Sequence, residues 1–362
     1  MTRAATEFVG AVTFEALTGR SVHTGLFDPG RALDHVKLAR EATVIVVAPA
    51  TADFLARAAT GQADDLLTAC LLAARCPVLL VPAMNDQMWA HAQTRRNVAH
   101  LRELSYRILE PESGALAAGE GSGPGRMPEP ETIFAYVGQL LERHGPLAGR
   151  RVLVTAGPTR EAIDPVRYIS NHSSGKMGVA VARAAWRRGA VVDLIAGPMS
   201  VAPPIGVVLH AVESTEDMAS AVERLLPNAD VLVMSAAPAD FRPATPVSEK
   251  IKKTAAPPSI AIAPTPDILQ TTRAARRPGA VIVGFALETE DAVASGSAKL
   301  ISKDLDLIVV NDATEPGAGF GVDTNRVTLV SRDGSQECLP LMSKDEVADA
   351  ILDRVEELTG GR

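Results

Sequence analysis

Short, unbroken apolar runs recur along the chain, separated by polar and Gly/Pro-rich stretches. In the first part they lie at 44–49 and 77–82. In the second they lie at 152–155, 191–195, 231–235, 281–285 and 307–310. Runs without polar alternation predict strands covered on both faces, as parallel sheets require. Helical periodicity falls between them: about 53–75 with a break at Gly61, 133–143, an alanine-rich 177–188 and an amphipathic 344–358. Residues 101–109 read as a helix end followed by a strand. Strands alternating with helices predict βαβ units in doubly wound sheets. Right-handed crossovers then place helices on both sheet faces. Near the end, 326–330 and 337–341 flank Asp333-Gly334, a hairpin turn signal. The expected fold class is α/β, with two doubly wound, mostly parallel-sheet domains. The polar, Gly/Pro-punctuated segment 143–150 marks the boundary between domains at 1–145 and 150–362.

Composition narrows the function. The chain has 362 residues, 46% of them hydrophobic and only 4% aromatic, so its cores are built from Ala, Val, Leu and Ile. A net charge of −7 argues against a nucleic-acid partner. Three cysteines, Cys70, Cys76 and Cys338, form no disulfide framework and suit a reducing compartment. No apolar run reaches the ~18 residues of a membrane span. A cytoplasmic protein without a membrane partner is expected.

The candidate chemistry begins with one loop. The strand at 152–155 and the helix at 177–188 are joined by a mostly polar, Gly- and Pro-rich stretch from Thr155 to Gly178. Strand-to-helix connections usually take about 2–6 residues, and much longer ones inside compact domains are usually functional. Three more polar clusters follow later strands: Ser235 to Arg242, Phe285 to Thr289, and Asn311-Asp312. Lys250, Lys252 and Lys253 follow the second. In a doubly wound fold these loops share one sheet edge, where they can line a single crevice. Gly175 and Gly178 let backbone approach a ligand, and the helix they open attracts anions. Lysines neutralise phosphate. Asp240 can accept from a base or ribose, and Asn171 can serve a carbonyl or oxyanion. Together these suggest nucleotide or phosphate handling. Ser-Ser-Gly-Lys-Met at 173–177 is not a P-loop, and no G-x-G-x-x-G follows the first strand of this domain.

The string from Thr155 to Gly178 resembles the ligase half of the bifunctional phosphopantothenoylcysteine decarboxylase/phosphopantothenate–cysteine ligases of coenzyme A biosynthesis. The likeness continues through 236–240, 249–253, 266–268, 284–289, Lys299, Lys303 and 311–312. It implies a Rossmann-like domain in which CTP, accompanied by Mg²⁺, activates the carboxylate of 4′-phosphopantothenate as an acyl-cytidylate. The amine of cysteine then displaces CMP. The resemblance implies that Asn171 stabilises the acyl-cytidylate and that Lys250 serves the nucleotide and carboxylate. It implies cytidine-side positions at Asp240 and Phe285. Ser235 and Ala236 fall at the nucleotide-facing strand end. Pro266, Asp267, Ile268, Leu269, Lys299 and Lys303 match further CTP contacts. The ligase half of this family dimerises, so a homo-oligomer is implied.

Residues 1–145 resemble the flavin-dependent decarboxylase half through 13–19, 34–39, 48–53, 63–68 and the specific string 82–89. The resemblance implies a flavodoxin-like domain using FMN, a catalytic His35, and Asn85 at the substrate carboxylate. Two departures stand out. The family's proton-donating Cys precedes a Gly-Pro-Gly-Arg-Met string, and here Ala118 occupies its position. The opening residues also resemble an internal piece of the family, at the end of its second strand, so the first strand, phosphate loop and helix are expected to be missing. The reading from sequence is an active CTP-dependent ligase with an impaired flavin half. A fully bifunctional enzyme and a non-catalytic, partner-binding flavoprotein-like subunit are the alternatives.

Overall fold

The computed structural model describes residues 1–27, 31, 33–116, 119, 121–252, 259–288, 292–312 and 321–360. It divides into two compact units, Met1–Leu141 and Glu142–Arg362. Among the described residues no helix is long and apolar enough to cross a membrane.

In unit one, helices α1 (Arg3–Thr6), α2 (Ala11–Thr18) and α3 (Asp34–Glu41) lead into strand β1 (Ile45–Ala50). Next come α4 (Ala52–Ala59), α5 (Leu66–Ala73) and β2 (Val78–Pro82). Then follow α6 (Asp86–Ala90), α7 (Ala92–Glu103), β3 (Arg107–Ile108), the hairpin β4 (Glu112–Ala115) and β5 (Ser122–Arg126), and α8 from Pro130. Strands β1, β2 and β3 form a parallel sheet in that order. The expected helix over 53–75 is two helices, parted where Gly61 turns left-handed at φ 68°. The Asp65 side chain restarts it by accepting from Thr68 N at 2.8 Å. The full coverage expected of 44–49 is corrected. β1 is an edge strand, and Val46 is exposed on it. β2, the central strand, is buried throughout.

Unit two carries β6 (Arg151–Ala156), the short hairpin β7 (Arg160–Ala162) and β8 (Tyr168–Ser170), α9 (Lys176–Arg187), β9 (Val191–Ala196), β10 (Val208–Ala211) and α10 (Thr215–Leu225). It continues with β11 (Val231–Met234), β12 (Phe241–Pro243), β13 (Ile262–Pro264), α11 (Ile268–Thr271), β14 (Val281–Glu288), α12 (Ala292–Ser302) and β15 (Leu307–Asp312). It closes with β16 (Thr324–Asn325), β17 (Val327–Ser331), β18 (Gln336–Cys338), β19 (Met342–Ser343) and α13 (Lys344–Gly360). Eight strands form the main sheet in the order β10-β9-β6-β11-β14-β15-β17-β18. The first six run parallel, and β17 and β18 are the expected antiparallel hairpin. The chain winds from β6 outward through β9 and β10, then returns to β11 and winds the other way. The order therefore reverses between the neighbours β6 and β11. Such a reversal splays the following loops apart and opens a crevice at the carboxyl ends of the strands. Leu153, Val154, Leu232 and Val233 are at most 1% exposed, so a dry core holds this point rigid.

Candidate functional site

The loops leaving β6 and β11 are stitched together across the reversal. Ser235 Oγ donates to Thr155 O at 2.6 Å, and Ala236 N donates to Thr155 Oγ1 at 3.1 Å. Ala237 N donates to Gly157 O at 2.9 Å. Ala239 N donates to Thr159 Oγ1 at 2.9 Å, and that hydroxyl also pairs with Thr215 Oγ1 at 2.9 Å. The buried Glu161 carboxylate closes the row, accepting from Thr215 N and Oγ1, each at 2.8 Å. Every link involves a group that would be costly to bury unpaired. The row therefore fixes backbone as well as side chains.

Asn171 sits on this frame. Its Nδ2 donates to Ala237 O at 3.2 Å and Pro238 O at 3.0 Å. Asn171 thus belongs to both of the first two clusters, and its amide hydrogens are committed to backbone. One turn of chain further, Gly175 caps α9 at φ 81°, where a Cβ would meet Met199. Gly178 brings the start of α9 against the sheet: a Cβ there would lie 2.5 Å from Ala156 Cβ. The helix N-terminus, with its partial positive charge, therefore opens directly onto the crevice.

The crevice is a cavity of about 350 Å³. Its wall holds Asn171, Ser173 to Gly178, Ser235 to Pro238, Asp240, Phe285 to Leu287 and Asn311. Parts of all four polar clusters thus meet in one place. Asn325 and Lys344 also line it. These two were not foreseen, because they belong to β16 and the start of α13, far along the chain. The available signal was Ser343 followed by Glu346, a helix-start pattern placing Lys344 at a helix N-terminus. Lys344 is buried, and its Nζ donates to Val322 O at 2.5 Å. Burial, reinforced by Lys176, pushes its ammonium below its ordinary value. Lys176 Nζ pairs with Asp323 Oδ1 at 2.7 Å and lowers that carboxyl.

Lys250 does not line the cavity and is exposed. Its neighbour Ile251 is gripped at both backbone polar groups. Ile251 N donates to Asp164 Oδ2 at 3.1 Å, and Arg167 donates to Ile251 O at 3.0 Å. Asp164 also accepts from Val166 N, Arg167 N and the Arg167 guanidinium. That guanidinium, foremost, holds the Asp164 carboxyl far below the usual carboxylate range. Pro266, Asp267, Ile268, Leu269, Lys299 and Lys303 are likewise not among the cavity residues. Ile268 and Leu269 are core residues, and Lys303 pairs with Asp267 at 3.0 Å. Lys299 and Lys303 lie at the end of α12, where the chain has run back toward the start of β15.

In unit one, His35 lies in the first turn of α3. Its Nδ1 is buried without a hydrogen-bond partner. Asn85 caps α6, accepting from Gln87 N at 2.9 Å. The Gly123–Gly125 backbone of β5 lies on this motif. Met84 N donates to Gly125 O at 3.0 Å, and a Cβ on Gly125 would fall 2.1 Å from Met84 O. The orphaned ring nitrogen fits a ligand that supplies its partner, and the glycine lets β5 pack against the Asn85 motif. Ala118, Lys253 and Thr289 lie outside the described residues.

Comparison with known proteins adds a family to each unit. A model described as the DNA/pantothenate metabolism flavoprotein C-terminal domain matches residues 147–358, and one described as Flavoprotein matches residues 1–142. The coenzyme A biosynthesis bifunctional protein CoaBC of Mycobacterium tuberculosis (strain ATCC 25618 / H37Rv) is 50% identical over 375 residues, spanning 99% of this chain and 89% of that protein. The protein of the same name from Bacillus subtilis (strain 168) is 43% identical over 368 residues, with 99% and 89% covered. A crystal structure of the C-terminal domain of a CoaBC protein superposes with a TM-score of 0.52 at 38% identity, covering 60% of this chain and all of that one. The flavoprotein match over residues 1–142 favours the fully bifunctional alternative over the expected impaired first half.

Proposed function

This chain belongs to the family of bifunctional coenzyme A biosynthesis proteins, and on that premise we propose that it joins 4′-phosphopantothenate to cysteine using CTP and then decarboxylates the product. The observation that carries the ligase half is the cavity at the β6/β11 reversal, where Asn171, the α9 N-terminus, Lys176 and Asp240 converge. In the first step a carboxylate oxygen of phosphopantothenate attacks the α-phosphorus of CTP, and pyrophosphate leaves. In the second the cysteine amine attacks the acyl carbon, CMP leaves, and the amine gives up a proton. The α9 N-terminus and Lys176 suit the phosphates. Asn171, locked to Ala237 O and Pro238 O, holds the second loop against the acyl-cytidylate. Lys250, steadied through Ile251, reaches the nucleotide and carboxylate when the site is filled. Asp240, Ser235, Ala236 and Phe285 frame the cytidine. Pro266, Asp267, Ile268, Leu269, Lys299 and Lys303 are further nucleotide contacts on this reading. Mg²⁺ enters with the triphosphate, since such ions are usually held by substrate phosphates and only one or two carboxylates. Exposed Val166, Tyr168, Phe241 and Ile262 on the two small hairpins support a homodimer of this unit.

In the first unit, FMN supplies the oxidation of the cysteinyl thiol that makes loss of carbon dioxide possible. His35 is the residue that moves a proton there, and Asn85 holds the substrate carboxylate. Ala118, at the position of the family's acidic Cys, is the observation favouring a ligase without decarboxylase activity. Incubation with CTP, Mg²⁺, phosphopantothenate and cysteine should release pyrophosphate and CMP, and absence of both overturns the ligase assignment. Carbon dioxide release from phosphopantothenoylcysteine by flavin-loaded protein tests the other half. A colourless protein that releases none leaves the ligase alone.

A further inference from the structure

Asn311, the penultimate residue of β15, pairs with Leu287 of β14 and lines the cavity beside Phe285 and Ala286. Asn171 Nδ2, Ser235 Oγ and Thr155 Oγ1 all make hydrogen bonds within the frame. Asn311 differs, because its Oδ1 is buried and has no hydrogen-bond partner. A buried acceptor left unmet is costly, and native folds keep few of them. Asn311 lines the cavity, so a turn of its side chain presents this acceptor to a ligand that brings a donor.

We propose that Asn311 is a specificity-determining residue for the nucleotide, its Oδ1 accepting a hydrogen bond from a neutral donor, either the amino group of the base or a hydroxyl of the sugar. This rests on the nucleotide reading of the cavity. A carboxamide oxygen offers nothing to phosphates, which are acceptors themselves and find Lys176 and the α9 N-terminus instead. The donor-bearing parts of a nucleoside are therefore what Asn311 selects. A site built around such a bond rejects an analogue lacking the donor, because the acceptor then stays unmet.

Calorimetric titration of the full chain with CTP, UTP, 2′-deoxyCTP and 3′-deoxyCTP, compared with Asn311→Leu, tests this. UTP carries a carbonyl where CTP carries its amino group, so weak UTP binding assigns the donor to the base. Weak binding of a deoxy analogue assigns it to the sugar. Asn311→Leu should bind CTP about tenfold more weakly and lose that discrimination. It should melt no lower than the parent, because an unmet acceptor has been removed. Asn311→Asp keeps an acceptor and should keep the preference, which provides the test if the leucine variant does not fold. Equal discrimination in parent and leucine variant overturns the proposal, as does a leucine variant that discriminates less only because it melts lower. A parent chain that binds no nucleotide overturns the nucleotide reading itself, and this proposal with it.

Discussion

Gly178 makes the tightest glycine contact of the cavity wall, and it carries a specific prediction. Replacing Gly178 with alanine adds one methyl group at the third residue of α9. That carbon would lie 2.5 Å from Ala156 Cβ, 2.7 Å from Ser235 Oγ and 2.9 Å from Thr155 O. Apolar carbons in contact sit about 3.5–4.0 Å apart, so α9 has to retreat by roughly 1 Å. Two terms oppose each other. Gly→Ala inside a helix is intrinsically favourable by about 0.5–1 kcal/mol. Forcing an extra carbon into a packed contact costs about 1–3 kcal/mol. The obstructing atoms are a backbone oxygen and a Cβ, which cannot rotate away, so the second term wins. The net loss expected is about 1–2 kcal/mol. For a domain of this size that lowers Tm by about 2–8 °C. The retreat also carries Ser173 to Lys176 off position, and a 1 Å misplacement costs about a hundredfold in rate. Scanning calorimetry and CMP release, measured on parent and variant together, read both effects. A variant that melts no lower and turns over normally would refute the close-packing account of why glycine stands there.

Three further outcomes are expected. Asn171→Asp sets a carboxylate against Ala237 O and Pro238 O, and should cut ligase kcat about a hundredfold and cause acyl-cytidylate to accumulate in quenched reactions; normal turnover refutes its role. The Asp164 carboxyl is held below its ordinary value in the fold, so its contribution is complete above the unfolded pKa of about 4 and is lost as pH falls below that toward the native value. Urea midpoints of parent and Asp164→Asn should therefore differ by a constant amount from pH 5 upward and converge in acid; a gap that widens in acid contradicts this. Gly125→Ala should lift β5 off Met84 and cost the purified protein its flavin absorbance, and a yellow variant with an unchanged melt sinks that reading.

The parallel sheet of unit two was legible because its strands are unbroken apolar runs, a consequence of burial on both faces. Convergence of the four polar clusters was legible too, since strand polarity alone puts those loops on one edge. The β7/β8 hairpin was not, because Arg160–Ala162 and Tyr168–Ser170 are too short for periodicity to register and are held by tertiary hydrogen bonds such as Ser170 Oγ to Thr159 O at 2.7 Å. Strand β10 was missed for a related reason. It is an edge strand with Val208 and Leu209 exposed, so it carries little apolar signal. Asn325 and Lys344 reach the cavity only because β17 returns antiparallel beside β15, a pairing no local pattern encodes.

The row of hydrogen bonds across the sheet reversal also bears on how the chain acquires its site. Thr155 and Ala236 are 81 residues apart in sequence, and Thr159 and Ala239 are 80 apart. Contacts of that separation form late, because a long loop must close before they repay its entropy. During synthesis the Asn171 loop emerges well before the carbonyls that anchor it. The cavity is therefore absent until β11 has been made and has docked beside β6. On the function proposed above, the nucleotide binds the folded chain and not its precursors, so it stabilises by mass action and favours completed molecules over nascent ones.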